Sequence, residues 1–185
     1  MIADKVWENL LSYVRHKIES SIDPTLVFVE PEGLKDSLNL PHKGFYIGIM
    51  NSSSEDILRE GYLKEGLHNV FESTHTTIGN ICKQLKNENI AVSQIQTGKI
   101  FLTVVSDVIY IQNPTHWDEN KDGVYFQWGQ NYKALYLPYQ IKHMDLSKIE
   151  IMDRLCGWEA GLASNLWRKS SGLVFRMLAL TYPEV

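Results

Sequence analysis

The sequence has no excess of positive charge. Its 185 residues include 18 Lys and Arg against 22 Asp and Glu, a formal net charge of −4. The basic residues do not cluster beyond the pair Arg168-Lys169. Nucleic-acid-binding domains usually display a clustered basic face. The composition therefore argues against a nucleic-acid partner.

Long apolar runs are also lacking. The longest apolar region, residues 100–111, is interrupted by Thr103, Ser106 and Asp107. It is shorter than the ~20 residues that a transmembrane helix needs. Residues 1–11 contain acids and no continuous apolar stretch, unlike a secretory signal peptide. We therefore expect a cytoplasmic protein without a membrane partner.

Reactive and metal-binding patterns are scarce. The only two cysteines, Cys82 and Cys156, lie far apart in helix-like segments, so we expect reduced thiols in preference to a disulfide. The six histidines show no HxxxH or HExxH spacing, and no GxSxG, GxGxxG or Walker-type loop occurs. We expect no metal site and no cofactor. The loop cluster at residues 116–119 (HWDE) could bind a cation, but an exposed, solvated loop is the favoured interpretation.

Apolar residues at helical spacing predict three helices. Over residues 2–20, Ile2, Val6, Leu10, Val14 and Ile18 recur every fourth position, and Asp23-Pro24 ends the pattern. A second helix is expected over residues 67–85. A third should begin after Ser147, with Ser147 and Glu150 as a capping box and Ile149 on the buried face, and should end near residues 157–160.

Segments rich in β-branched and aromatic residues predict the strands. These are residues 25–30, 44–50, 99–111 and 173–182, with a hairpin formed by residues 123–128 and 133–137 around the turn at 129–131. The interspersed order indicates an α+β fold: largely antiparallel sheets flanked by helices, two lobes sharing one core, in a single domain over residues 1–185. The first helix should pack beside the last strand.

The stretch WEAGLASNLWR, residues 158–168, predicts a corner of the fold. Gly161 suits the left-handed position after a helix, and Leu162 can fold back on the last turn. Ser164 should cap a short helical piece that delivers Trp167 into the core.

The C-terminal third resembles the AMMECR domain family. The resemblance is carried by the order of a hairpin entered through residues 122–124 (DGV), then LPYQ at 137–140, a helix, AGL at 160–162 and Trp167. It implies the fold class given above. Two differences are visible, since the family has Leu-Pro-Gln-Val at the first motif and a lysine where this chain has Glu159.

The family's hallmark Leu-Arg-Gly-Cys-Ile-Gly is degenerate here. The nearest match is residues 58–62 (LREGY), which lacks the cysteine, so a thiolate nucleophile at this position has no support. We expect this segment to be a ligand-facing loop in which Arg59 engages a carboxylate or phosphate, with a plain surface turn as the alternative. The residues expected to line a shared cleft are Leu58, Arg59, Glu60, Gly61, Tyr62, Leu137, Pro138 and Gln140.

Two functions stay open at this point. The resemblance implies an accessory or catalytic component of a macromolecule- or cofactor-modifying system, because family members are associated with Memo-type and radical-SAM-type proteins. The alternative is a non-catalytic protein-interaction module that uses the same cleft. The expected partner is accordingly either a small anionic ligand or a protein.

Overall fold

Helices and strands alternate irregularly along the chain, as the sequence predicts for the α+β class. A computed structural model describes residues 4–23, 25–27, 29, 31–53, 56–87 and 92–184. The elements are α1 (Asp4–Ile22), α2 (Leu34–Ser37), β1 (Pro41–Met50), β2 (Asp56–Asn69), α3 (Val70–Asn87), α4 (Val92–Thr97), β3 (Lys99–Tyr110), β4 (Asp122–Trp128), β5 (Tyr132–Tyr136), α5 (Pro138–His143), α6 (Lys148–Arg154), a π-helical turn (Leu155–Glu159), a 3-10 turn (Leu166–Arg168) and β6 (Gly172–Pro183).

The chain divides into two compact units. Unit 1 comprises Met1–Val104 and Thr181–Val185, and unit 2 comprises Val105–Leu180. Strands β3 and β6 each contribute residues to both units. The sequence predicts one shared core, whereas the buried apolar residues in the described ranges group into two clusters, one in each unit.

Unit 1 contains strands in the order β2-β1-β3, with β1 and β2 antiparallel. The side chains of Phe45, Ile47 and Ile49 share one face of β1 and are fully buried, as their alternation predicts. Leu10, Val14 and Ile18 of α1 are buried in the same cluster. The predicted first helix is thus confirmed over its described part; Ile2 lies outside the described residues.

Unit 2 contains strands in the order β3-β6-β4-β5. Strand β4 pairs antiparallel with both β5 and β6, and Gly129 takes φ +60° in the predicted hairpin turn. Ser147 accepts a hydrogen bond from the Glu150 amide, and the Glu150 carboxylate accepts one from the Ser147 amide. The hairpin and the capping box are both confirmed.

The strand predicted over residues 25–30 is wrong for the residues that the structure describes there. The Asp23 carboxylate accepts hydrogen bonds from the amide and the hydroxyl of Thr25, which folds the chain into a local turn. Val27 and Val29 are 92% and 81% exposed. Without a surface to bury them, β-branched side chains do not make a strand. Phe28 and Glu30 lie outside the described residues.

The helix predicted from residue 67 begins three residues later. Residues 67–69 still belong to β2, and the Asn69 side chain accepts hydrogen bonds from the amides of Phe71 (2.9 Å) and Glu72 (3.3 Å). An asparagine at this position caps a helix well, so α3 starts at Val70.

The corner after α6 contains an extra helical residue. The amide of Ala160 bonds to the carbonyl of Leu155, a π-type step, and the amide of Leu162 bonds to the carbonyl of Cys156. Gly161 has φ +65° and Leu162 packs against the unit 2 cluster, both as predicted. Trp167 is buried and its Nε1 donates to Asp153 at 2.7 Å.

Two details of that corner differ from prediction. The 3-10 turn starts after Asn165 and has no side-chain cap, so Ser164 does not cap it. Ile149 is 50% exposed because the buried stripe of the helix consists of Ile151, Met152, Leu155 and Cys156.

Both cysteines are free thiols, as expected. Among the described residues no helix combines the length and apolar character that crossing a bilayer requires.

Candidate ligand-binding site

The predicted loop at residues 58–62 is a strand. It lies within β2 and pairs with residues 45–49 of β1. Gly61 has φ +155°, and a Cβ there would lie 2.2 Å from the carbonyl oxygen of Phe45 and 2.5 Å from Cδ1 of Tyr46. This glycine therefore permits a close approach of two strands, a role that glycine often has inside a strand, and it does not mark a turn. The prediction of a loop at residues 58–62 is therefore wrong.

The side chains of this segment alternate between the two faces of β2. Leu58 is buried in the unit 1 cluster. On the same face, Glu60 accepts hydrogen bonds from Asn80 (3.2 Å) and Gln84 (2.6 Å) of α3, and Tyr62 donates to Ser73. Half-buried Arg59 occupies the alternate position. Glu60 and Tyr62 thus hold β2 against α3.

The face of α3 that contacts β1 and β2 carries a row of polar side chains. Ser73, Thr77, Asn80 and Gln84 recur at helical spacing along one face of α3, a polar pattern that could have been detected in the sequence. Nε2 of His42 lies 2.7 Å from Oγ of Ser73, and both residues are 1% exposed. Burial lowers the pKa of His42. A Ser-His pair enclosed in this way is a structural hydrogen bond, because no substrate reaches it.

The other residues predicted to line the cleft, Leu137, Pro138 and Gln140, lie at the start of α5. All three are buried, Pro138 occupies the first turn, and the Gln140 side chain accepts a hydrogen bond from the Leu137 amide at 2.8 Å. The Gln140 side-chain oxygen therefore caps its own helix. Residues 58–62 belong to unit 1 and residues 137–140 to unit 2, so the cleft that they were expected to share stays a prediction.

An open pocket of about 320 Å³ lies within unit 2. It is lined by residues 116–120, Lys148 and Arg176, and we call it the loop pocket. Its volume is at the lower end of the ~300–1,000 Å³ typical of ligand sites. The HWDE cluster at residues 116–119 forms one wall of the loop pocket. The sequence predicts an exposed loop there.

The wall is held in place by its tryptophan and by Asp122. Trp117 is 3% exposed and donates from Nε1 to the carbonyl of Pro114 at 3.1 Å. The buried Asp122 carboxylate accepts from the amide of Asp118 at 2.9 Å. Because Trp117 is anchored inward, the neighbouring side chains of His116, Asp118 and Glu119 remain exposed.

Lys148 is fixed over this wall. Its ammonium donates to the carbonyl of Trp117 and lies 5.3 Å from the centroid of the Trp117 ring. An ammonium has three donors, so further hydrogen bonds to a bound molecule are possible without breaking this one.

Arg176 is the unusual member of the pocket. It pairs with Val124 across the sheet and shares a strand face with Val174, and both valines are buried in the unit 2 cluster. Its Nε is buried without a hydrogen-bond partner, and the structure gives its guanidinium no ion pair with any described residue. A guanidinium on a core-facing position normally has a partner.

The sequence does not predict the loop pocket, because the residues that line it are distant from one another along the chain. Arg176 stands inside the apolar run LVFRMLALTY, and its place beside Val174 in the alternation was the one available signal. Within the described ranges no group of three or more His, Cys, Asp and Glu could hold a metal ion. The basic groups of the loop pocket suit an anionic group instead.

No model of a known protein family and no curated protein matches the chain. Among solved structures, the crystal structure of the uncharacterized protein PH0010 from Pyrococcus horikoshii is similar to it. That likeness has a TM-score of 0.78 at 17% sequence identity and covers 98% of this chain and 93% of the other. At this identity it shows a common fold and nothing about activity.

Proposed function

We propose that this protein is an AMMECR-like domain that binds a small molecule through an anionic group in the loop pocket. The observation that carries the proposal is the guanidinium of Arg176, whose buried Nε has no hydrogen-bond partner, in a pocket that Lys148 also lines. Both belong to one unit, so the site needs no contribution from elsewhere in the chain.

Arg176 carries a charge without an ion-pair partner among the described residues. Removing a charged group from water without giving it a partner is costly, and Arg176 is half-buried on the core face of its sheet. A carboxylate or phosphate would supply that partner through two parallel hydrogen bonds to the planar guanidinium. An apolar residue at position 176 would make the folded protein more stable. A loss of stability of this kind is typical of residues that serve a binding site.

A thermal-shift screen of carboxylates and phosphates, followed by calorimetric titration of the hits, tests the proposal. Arg176→Leu should weaken binding about 10–150-fold, corresponding to about 1.5–3 kcal/mol for a hydrogen bond to a charged group. It should also raise the melting temperature of the ligand-free protein, because an unpaired charge is removed. Arg176→Lys should restore only part of the affinity, since the planar fork is lost.

Arg154→Met is the matched control. Arg154 is an exposed arginine of unit 2 that stacks on Trp158, 4.7 Å from the ring centroid, outside the loop pocket. Its replacement should leave the affinity unchanged. If no anion raises the melting temperature, or if Arg176→Leu binds every hit as tightly as the parent, the proposal fails.

The wider role that we propose follows the resemblance. An anion-binding AMMECR-like domain would serve as an accessory component of a macromolecule- or cofactor-modifying system of the kind associated with Memo-type and radical-SAM-type proteins. Thiol catalysis is not part of the proposal: hallmark-like residues 58–62 contain no cysteine, and burial raises the pKa of Cys156 to about 11.

The second candidate function, a non-catalytic protein-interaction module, is favoured by one observation. Trp158 is 78% exposed on the wall of a groove of about 440 Å³ that also includes Leu146 and Leu162. Exposed tryptophans are common anchors of protein interfaces. If Trp158→Ala abolished a partner's binding while Arg176→Leu left it unchanged, this second function would replace the first.

A further inference from the structure

The loop pocket contains acidic as well as basic side chains. Arg176 and Lys148 carry positive charge, and Asp118 and Glu119 carry negative charge. The formal charges of these four residues cancel. A ligand with a single kind of charge would meet attraction from one pair and repulsion from the other, which costs affinity.

The two acids of the loop pocket are accessible to solvent. Both are exposed. Oδ1 of Asp118 accepts a hydrogen bond from the Asn120 amide at 3.0 Å, and this bond is the main reason why the pKa of Asp118 is lowered. The ion pair of Asp118 with Lys121 is long, 3.7 Å, and Lys121 is 80% exposed, so it neutralises little of the charge.

Glu119 is the freer of the two acids. The described part of the chain offers it no hydrogen bond or ion pair. The neighbouring Trp117 is anchored in the core by its ring and its Nε1, which fixes the backbone from which Glu119 projects. One pocket therefore presents a partnerless guanidinium and a partnerless carboxylate.

We propose that the ligand of the loop pocket is a zwitterion of amino-acid to dipeptide size, whose anionic group binds Arg176 and Lys148 and whose ammonium binds Glu119 and Asp118. This inference rests on the proposed function and adds the second charge. The volume of about 320 Å³ limits the ligand to a small molecule. Simple dianions are disfavoured because they would approach two carboxylates, and simple cations because they would approach two basic groups.

The test compares molecules that differ in one charge. Glycylglycine and the twenty proteinogenic amino acids are titrated into the full-length protein, each beside its N-acetyl form, which lacks the ammonium, and its C-terminal amide, which lacks the carboxylate. At least one zwitterion should bind at least tenfold more tightly than both of its blocked forms. Succinate and inorganic phosphate serve as dianions.

Two variants assign the charges. Glu119→Gln should remove most of the tenfold preference for the zwitterion over its N-acetyl form, because the zwitterion loses the partner of its ammonium while the N-acetyl anion loses a repulsion. Arg176→Leu should weaken both of those forms and should strengthen binding of the amide, which loses a repulsion. Asp145→Asn, which replaces an exposed carboxylate of unit 2 outside the pocket, should change none of the affinities.

The outcomes separate the two proposals. If N-acetyl forms, succinate or phosphate bind as tightly as any zwitterion and depend on Arg176, the loop pocket is an anion site and the zwitterion is wrong. If zwitterions bind but Glu119→Gln keeps their preference, the assignment of the ammonium to this acid is wrong. If no compound of either set binds, both proposals are overturned.

Discussion

The ring of Trp7 in α1 stacks on the ring of Tyr182 in β6, with centroids 4.0 Å apart and planes inclined by 14°. This contact joins the first helix of unit 1 to the segment that returns to it near residue 181. The prediction that the first helix packs beside the last strand is therefore confirmed. Aromatic stacking of this kind contributes about 0.5–1.5 kcal/mol beyond the area that it buries.

Arg15 should contribute to the same junction. Its guanidinium donates to both carboxylate oxygens of Glu184 and to the carbonyls of Ile95 and Gly98. Arg15→Met should lower the free energy of unfolding by about 1.5–3 kcal/mol, measured by urea denaturation. Lys5→Met, on the exposed side of α1, should change it by less than about 0.5 kcal/mol. Equal losses in both variants would contradict this role.

Gly61 should not tolerate any side chain. Its φ of +155° is almost confined to glycine, and an added Cβ would collide with the backbone of β1. We expect Gly61→Ala to destabilise the protein by more than about 3 kcal/mol or to prevent folding. If Gly61→Ala melted within a few degrees of the parent, β1 and β2 would be able to move apart with little loss of stability, and the prediction would be wrong.

Gly161 should tolerate alanine at a smaller cost. Its φ is +65° and nothing lies within 4 Å of an added Cβ, so Gly161→Ala should cost about 1 kcal/mol through backbone strain alone. Gly79→Ala is the control, since Gly79 is a helical glycine in α3 with equally open space. It should stabilise by about 0.5–1 kcal/mol. In chemical denaturation, the changes in the free energy of unfolding of Gly161→Ala and Gly79→Ala should therefore have opposite signs.

His42 should make stability depend on pH in mildly acidic solution. Burial lowers its pKa in the folded state below the ordinary value of about 6.5. Between the two pKa values the unfolded chain binds more protons, so stability falls as pH drops below about 6.5 and levels off below the folded-state pKa. The slope should reach at most about 1.4 kcal/mol per pH unit.

The variant His42→Phe tests this prediction, and a replacement of His16 is its control. His42→Phe should remove this contribution to the slope between pH 6.5 and 4.5, whereas replacing exposed His16 with Asn should not. An unchanged slope in His42→Phe would assign the dependence to other groups.

The two thiols should differ in reactivity. Cys156 is fully buried and its pKa is raised to about 11, chiefly by burial, so almost no thiolate forms at pH 8. Cys82 is half-buried on α3. Ellman's reagent should label one thiol per chain in the native protein and two in denaturant. Cys82→Ala should abolish the native signal; a persistent signal would mean that Cys156 is accessible.

The sequence predicts elements wherever local chemistry and burial agree. The capping box at Ser147, the left-handed Gly161 and the hairpin around Gly129 each depend on a few neighbouring residues, and all three are confirmed. Residues 25–30 show the opposite case. Their composition favours a strand, but the Asx turn at Asp23 and the lack of a covering surface determine the result.

The site was harder to predict, because it depends on distant residues. The sequence shows residues 116–119 as a cluster of polar side chains, but Arg176 follows them by about sixty positions and lies in the same pocket because β4 pairs with β6. Residues 58–62 are predicted as a loop because they are the nearest match to the hallmark of the AMMECR family and follow the strand at 44–50. Gly61 instead marks a close approach of strands, which requires the partner strand to be known.

The discontinuity of unit 1 has a consequence for its biosynthesis. Residues 4–104 leave the ribosome without the segment that provides Tyr182 and Glu184. At the usual 5–20 residues per second, translation of residues 105–180 takes roughly 4–15 s. During that interval Trp7 lacks the ring of Tyr182 and Arg15 lacks the carboxylate of Glu184, so unit 1 can complete its packing only after unit 2 has been synthesised. Unit 2 is continuous and can fold as soon as it emerges.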